Sequence, residues 1–301
     1  MTDATRSGRF TELFDNRVLA RLERWRLNPH RRMTNRSRGE HHSAKGGTST
    51  EFADYRNYVE GDDVRYVDWN LFARLQRPYL KLYRHEEEMH VLLILDGSAS
   101  MDFEGKFTLA KQLTGAFSLM GLMNQERVSI YCVKQEDERP LQSPVVRGKS
   151  SVRRLFQFIE DLKTGGDAPF EKTIQSVLRQ HRGRGIAILL SDFLTFGNIE
   201  RPLNMLYSAG LEIFGVQILS PIELQPELTG DLRLVDSEDR TVLDVSGVGQ
   251  LLGIYHEHLE RMHEGLGAMC RKRNGRFLRV NSADPLEQLL FDTLCRKGWI
   301  A

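Results

Sequence analysis

The chain has 301 residues, of which 28% are charged, and its formal net charge is only +1. This balance excludes a generally basic nucleic-acid-binding protein and a highly acidic disordered chain. The three cysteines, Cys132, Cys270 and Cys295, form no Cys-x-x-Cys pair, which indicates reduced thiols and excludes a disulfide framework or a cysteine zinc site. No apolar run approaches the ~20 residues that span a bilayer, and the first residues lack the apolar core of a signal peptide. We therefore expect a soluble cytoplasmic protein.

The first part of the chain, residues 1–87, is predicted to contain a helix, a basic loop and short strands. Apolar residues close to helical spacing predict an amphipathic helix over residues 10–27. Residues 28–50 are basic and contain glycine and serine, which is typical of a loop. Aromatic and β-branched residues between positions 51 and 90 predict short strands around a turn at Gly61-Asp62-Asp63.

From Met89 onward the pattern alternates between strands and helices. Strands are predicted at residues 90–95, 127–134, 185–191, 211–219 and 276–280, with an edge strand near 140–146 and a hairpin over 228–246. Helices are predicted at residues 106–123, 149–162, 168–181, 198–209, 249–272 and 284–296. This alternation predicts an α/β domain over residues 88–301, with a doubly wound, mostly parallel sheet and helices on both faces.

A carboxylate and two hydroxyls follow the first buried strand of this domain. The segment is Asp96-Gly97-Ser98-Ala99-Ser100, and it comes directly after the apolar run Val91–Leu95. Ligands of parallel sheets bind just beyond the carboxyl ends of the strands. Three hard oxygen ligands at that place suit Mg²⁺ or Mn²⁺.

Two later segments complete a family pattern. A second apolar run ends in Ser191-Asp192, and Thr164-Gly165-Gly166-Asp167 lies between the two runs. An Asp-x-Ser-x-Ser motif after a buried strand resembles the metal-ion-dependent adhesion site of von Willebrand factor A domains. The resemblance implies that Asp96, Ser98 and Ser100 hold the metal, with Asp167 and Asp192 bound directly or through water. Asp167 also stands before Ala168-Pro169, where aspartate is a normal helix cap, so it is a ligand, a cap or both.

A second signature precedes the α/β domain. The segment Glu51–Trp69 is dense in aspartate, arginine and aromatic residues, and Phe72-Ala73-Arg74 follows it. It closely resembles bacterial domain-of-unknown-function family 58, whose members join this signature to a von Willebrand A-like domain. The resemblance covers roughly residues 38–300 and implies a partnership with MoxR-type AAA+ ATPases, which are commonly encoded beside its members. Physically, the signature suits a charge-assisted Asp–Arg network that ties the N-terminal segment to the A-like domain.

These observations favour an interaction module over an enzyme. Gly105-Lys106 is not a phosphate-binding loop, and Gly97-Ser98-Ala99-Ser100 is not a nucleophile elbow. We expect an open metal position to accept a carboxylate from a MoxR-type ATPase or from its client, and we expect no nucleic-acid binding. One alternative is a metal-dependent phosphoester hydrolase, although no general base or Lys/Arg clamp is evident beside the motif.

Another alternative is binding of an anionic polymer or a membrane surface through the stretch Arg17–Arg38. This stretch holds eight arginines and one acidic residue, Glu23. A solvated helix face and loop is its ordinary interpretation. Its one aromatic residue, Trp25, does not supply the repeated aromatic interleaving that nucleic-acid stacking uses.

Overall fold

The computed structural model describes residues 10–29, 34–35, 50–86, 89–134, 139–166, 169–194, 198–226, 232–235, 242–245 and 248–301. The chain forms two compact units. The small unit is Arg31–Glu88, and the large unit combines Met1–His30 with Met89–Ala301. The predicted division at residue 87 grouped the N-terminal helix with the signature segment, whereas the structure groups it with the α/β unit.

Helix α1, Asn16–Leu22, is shorter than the predicted helix over residues 10–27. Its Leu22 is fully buried in the core of the large unit. Beyond the helix, Arg26 and Ala301 exchange two backbone hydrogen bonds of 2.9 Å, and Leu27 bridges Ile300. Apolar burial and strand-like pairing with the end of the chain therefore attach this segment to the large unit.

The small unit is a three-stranded antiparallel sheet with a short helical connection. Its strands are β1 (Thr34–Asn35), β2 (Thr50–Asn57) and β3 (Tyr79–Glu86), in the order β1-β3-β2. A 3₁₀ turn at Val64–Tyr66 and helix α2, Trp69–Leu75, connect β2 to β3. The short strands predicted between residues 51 and 90 are therefore present as β2 and β3.

The large unit alternates strands and helices as predicted. Its strands are β4 (His90–Asp96), β5 (Arg127–Val133), β6 (Leu141–Gln142), β7 (Gly185–Ser191), β8 (Leu211–Leu219), β9 (Leu232–Val235), β10 (Val242–Val245) and β11 (Arg276–Asn281). Its helices are α3 (Lys106–Met123), α4 (Val152–Glu160), α5 (Phe170–Gln180), α6 (Glu200–Ser208), α7 (Pro221–Leu224), α8 (Val248–Lys272), α9 (Leu286–Gln288) and α10 (Leu294–Arg296). A π-helical turn, Leu289–Thr293, joins α9 to α10.

The main sheet has the order β11-β8-β7-β4-β5-β6, and only the β5–β6 pair is antiparallel. Strand β4 sends Leu93 and Leu95 into one buried cluster and Leu92 and Ile94 into the other, because successive side chains alternate across a sheet. Helices therefore cover both faces. This arrangement confirms the predicted doubly wound, mostly parallel α/β fold.

The fold also defines where a ligand would bind. In the sheet, β5 and β6 lie on one side of β4, and the later strands β7, β8 and β11 lie on its other side. The direction in which successive strands are added therefore reverses between β4 and β7. In open α/β sheets the crevice at this reversal, beyond the carboxyl ends of the strands, is the usual ligand site. Within the described residues, no helix is long and apolar enough to cross a membrane.

Candidate functional site

Two neighbouring strands end at this crevice in polar residues that bond to each other. Asp96 ends β4 and Ser191 ends β7. The Ser191 hydroxyl donates to Asp96 Oδ2 over 2.6 Å, and the Ser98 amide donates to Asp96 Oδ1 over 2.9 Å. Both oxygens of this carboxylate are thus oriented by the chain before any ligand binds.

The two motif serines converge beside Asp96. Ser98 Oγ and Ser100 Oγ lie 3.0 Å apart. Neighbouring ligands of an octahedral Mg²⁺ with ~2.1 Å bonds are ~3.0 Å apart, so this spacing fits two adjacent coordination positions. Among the described residues, no group of three or more His, Cys, Asp or Glu side chains could hold a metal. A cation here would therefore depend on the serine hydroxyls as well as on Asp96.

The Gly-Gly loop is fastened to the motif loop by backbone hydrogen bonds. The Gly165 amide donates to the Gly97 carbonyl over 2.8 Å, and the Ala99 amide donates to the Gly166 carbonyl over 2.9 Å. The structure therefore brings this loop to the motif, as the resemblance implies. Asp167 itself lies outside the described residues.

Asp192 is held by a lysine that the sequence patterns did not place in the site. Lys106 Nζ donates to Asp192 Oδ2 over 2.9 Å and to Glu223 Oε1 over 2.6 Å, and the lysine side chain is fully buried. The sequence motif by itself indicates no lysine or arginine beside it. The contact joins α3, the end of β7 and α7, which are far apart in the sequence, so no local spacing pattern contains it.

Burial and charge act together on these groups. Burial, and then the nearby Asp192 charge, raise the pKa of Asp96 above its usual range, against the lowering effect of hydrogen bonds from Ser191 and Ser98. Burial opposes the charge on Lys106, but the carboxylates of Asp192 and Glu223 outweigh it and raise its pKa. A buried carboxylate that is costly to keep charged is a favourable place for a cation.

Comparison with known proteins identifies the family. The model of the family described as "Protein of unknown function DUF58" matches residues 54–262. The chain belongs to the DUF58 family. Uncharacterised proteins of Mycobacterium tuberculosis and Mycobacterium bovis are each 26% identical to this DUF58 protein over 242 residues, which is 78% of this chain and 75% of theirs.

The solved structures that this chain resembles are more distant. BatB from Bacteroides thetaiotaomicron is 14% identical, covers 70% of this chain and 98% of its own, and has a TM-score of 0.42. The mussel byssus protein PTMP1 with a zinc-occupied MIDAS motif is 15% identical, with coverages of 44% and 38% and a TM-score of 0.35. Manganese-loaded TRAP of Plasmodium vivax is 15% identical, with coverages of 43% and 57% and a TM-score of 0.30. At these values the likeness carries no argument about function.

The family signature forms ion pairs inside the small unit. Arg56 binds Asp62 with two bonds of 2.7 and 2.6 Å, and the pKa of Asp62 is lowered by this pairing. Asp68 caps α2, and the Leu71 amide, with further help from Tyr55 and Lys81, lowers its pKa to about 2. The aspartates of the signature therefore stabilise the turn and helix of the small unit. That the Asp–Arg network also attaches the N-terminal segment to the A-like domain stays a prediction.

The basic stretch Arg17–Arg38 is described only in part. Arg21 lies 3.8 Å above the ring of Phe291 and 3.6 Å from Glu287, so it packs against the last helical segment of the large unit. The arginines of the loop that follows, Arg31, Arg32, Arg36 and Arg38, lie outside the described residues. Binding of an anionic polymer or membrane surface stays an untested alternative.

Proposed function

We propose that this DUF58 protein is a metal-dependent protein–protein interaction module. Asp96, Ser98 and Ser100 would bind Mg²⁺ or Mn²⁺ directly, and Asp192 and Asp167 would complete the site. The observation that carries the proposal is the 3.0 Å spacing of the two serine hydroxyls beside an oriented, partly buried carboxylate. Bound metal would supply an open position with Lewis-acid character toward an incoming oxygen ligand.

The partner we propose is a MoxR-type AAA+ ATPase or a client of it, which would present a carboxylate to the site. The family resemblance supports this identity. The chemistry of the site supports the carboxylate, because Mg²⁺ and Mn²⁺ prefer hard oxygen ligands. We place this encounter in the cytoplasm. In support, Cys132 and Cys270 are free thiols, as is usual in a reducing compartment.

A matched pair of variants tests this function. Asp96→Ala removes the central oriented carboxylate, whereas Asp102→Ala removes an exposed carboxylate that follows the same motif and accepts a bond from Thr164. Each protein is immobilised and offered the purified MoxR-type ATPase of the same organism in Mg²⁺ and ATP. The comparison uses variants because chelation would also strip Mg²⁺ from the nucleotide of the ATPase.

We expect wild type and Asp102→Ala to retain the ATPase, and Asp96→Ala to lose it. Equal retention by all three proteins would show that the site does not make the contact. Retention by none would remove this ATPase as the partner.

The hydrolase alternative gains little from the lysine found in the site. Lys106 is fully buried and already bonded to Asp192 and Glu223, so it does not present a donor to a phosphate ester. We therefore expect no turnover of p-nitrophenyl phosphate in Mn²⁺. Turnover that Asp96→Ala abolishes would favour the hydrolase over the interaction module.

A further inference from the structure

Lys106 occupies a place that is unfavourable for a cation unless carboxylates hold it. It is the first residue of α3, where the helix dipole opposes positive charge, and its side chain is fully buried. Two carboxylates, Asp192 and Glu223, offset both effects through bonds of 2.9 and 2.6 Å. Breaking such a buried pair is strongly destabilising because a charge is left uncompensated.

Both partners of Lys106 are themselves fixed. The second oxygen of Asp192 accepts the Leu194 amide over 3.0 Å, so each oxygen of this carboxylate already has a donor from the chain. Glu223 forms a reciprocal capping box with Ser220, and the Tyr255 hydroxyl donates to the Glu223 carbonyl over 2.7 Å. The Lys106 ammonium is therefore bound by two carboxylates that hydrogen bonds at the end of β7, in α7 and from α8 keep in place.

We infer that Lys106 is a positioning residue of the metal site and acts as its internal counter-ion. It holds Asp192 in place when no metal is bound, and it limits Asp192 to contact with the metal through water. This inference rests on the proposed function. It predicts a site that is formed without metal and that binds the cation weakly enough to release it, since a fixed positive charge lies beside one of its carboxylates.

The first test replaces the ammonium with an apolar side chain of similar length. Lys106→Met should lower the melting temperature in metal-free buffer. It should also bind Mg²⁺ at least about fivefold more tightly by calorimetry, because Asp192 becomes free to face the metal. Lys111→Met is the matched control. Lys111 lies on the same helix but donates to the Glu160 and Leu162 carbonyls, so its loss should leave Mg²⁺ affinity unchanged.

A second pair of variants keeps the inference testable if Lys106→Met does not fold. Glu223→Gln removes one of the two carboxylates that bind the Lys106 ammonium, so the region around the site loses one negative charge. Mg²⁺ should therefore bind about fivefold more weakly. Asp102→Asn removes an exposed charge that solvent screens, and it should have a smaller effect.

The outcomes separate the inference from the proposed function. Wild-type protein that binds no Mg²⁺ would overturn the proposed function itself. Wild-type binding that Lys106→Met and Glu223→Gln leave unchanged would overturn only the inference and make Lys106 a purely structural ion pair. Tighter binding by Lys106→Met, or weaker binding by Glu223→Gln than by Asp102→Asn, would support it.

Discussion

Two arginines of the family signature illustrate how solvent exposure determines the contribution of an ion pair to folding stability. Arg56 and Asp62 form a two-bond pair with side chains that are 31% and 17% exposed, whereas the Arg65 side chain, paired with Asp63, is 77% exposed. Exposed pairs contribute little because water and salt screen them. We therefore expect Arg65 to contribute less to folding stability than Arg56 does.

Arg56→Ala should therefore lower the melting temperature more than Arg65→Ala does. The reason is that Asp62 also accepts the Val59 amide and would lose the partner that holds it in the turn. Thermal unfolding of both variants in metal-free buffer measures the difference. Equal losses would mean that the two pairs have the same role.

Asp167 follows Gly165-Gly166 and would be the third aspartate of the proposed site, beside Asp96 and Asp192. Its neighbours Gly165 and Gly166 are bonded to the motif loop. A site with three aspartates carries more negative charge than a site with two. It should therefore bind a divalent cation more tightly and attract a carboxylate of the partner less strongly. Asp167→Thr should weaken Mg²⁺ binding and strengthen metal-dependent partner binding. If Asp167 only caps a helix, calorimetry should show unchanged Mg²⁺ affinity, because threonine also caps helices.

At the scale of the elements, the turn after β4 has no room for a side chain. A Cβ at Gly97 would lie 2.9 Å from Cys132 Sγ and 3.0 Å from the Val133 carbonyl oxygen. Gly97→Ala should cost about 1–3 kcal/mol by overpacking, and it should weaken Mg²⁺ binding because the motif loop must shift. Gly265→Ala in α8 is the control, since a Cβ there meets nothing within 4 Å. A Gly97→Ala protein with the stability of wild type would contradict this packing argument.

The connection from α5 to β7 carries a buried histidine that makes stability depend on pH. Burial, and then the neighbouring His90, lower the pKa of His181 to about 4, and within the described residues its Nε2 has no hydrogen-bond partner. The unfolded chain therefore binds a proton at higher pH than the folded protein does. This contribution to stability is complete above pH ~6.5 and is lost as the pH falls toward 4, by up to about 3 kcal/mol.

Urea unfolding at pH 7.5 and pH 4.5 measures this dependence. His181→Gln should lose less stability between the two pH values than wild type, because it removes the titrating group. His258→Gln, at an exposed position of α8, should behave like wild type. The same pH dependence in wild type and His181→Gln would assign the effect to other groups.

The elements were predictable where one physical signal dominated. Strand β4 is predicted at residues 90–95 and spans His90–Asp96, and α3 has the predicted bounds, because both are apolar segments buried on the sheet. Helix α1 is shorter than its apolar spacing indicates. Leu27, the last apolar residue of the predicted helix, lies beyond Leu22 and bridges Ile300 instead of continuing the helix.

At the scale of the whole molecule, long-range contacts set the limit of prediction. The grouping of the N-terminal helix with the large unit depends on residues at opposite ends of the chain. The same holds for Lys106, which meets Glu223 across 117 positions. The sequence predicts the motif carboxylate and hydroxyls, because each follows a strand. It does not predict the lysine, since no local pattern distinguishes a buried ammonium from an ordinary helix start.

The central claim is that the Asp96 cluster binds a divalent cation, and calorimetric titration tests it most directly. Mg²⁺ is titrated into metal-stripped wild type, Asp96→Ala and Asp102→Ala, with melting temperatures recorded before and after. We predict binding and a higher melting temperature for wild type and Asp102→Ala, because a ligand of the native state stabilises it by mass action, and neither effect for Asp96→Ala. Absence of binding to wild type, or equal binding by all three proteins, would contradict the claim.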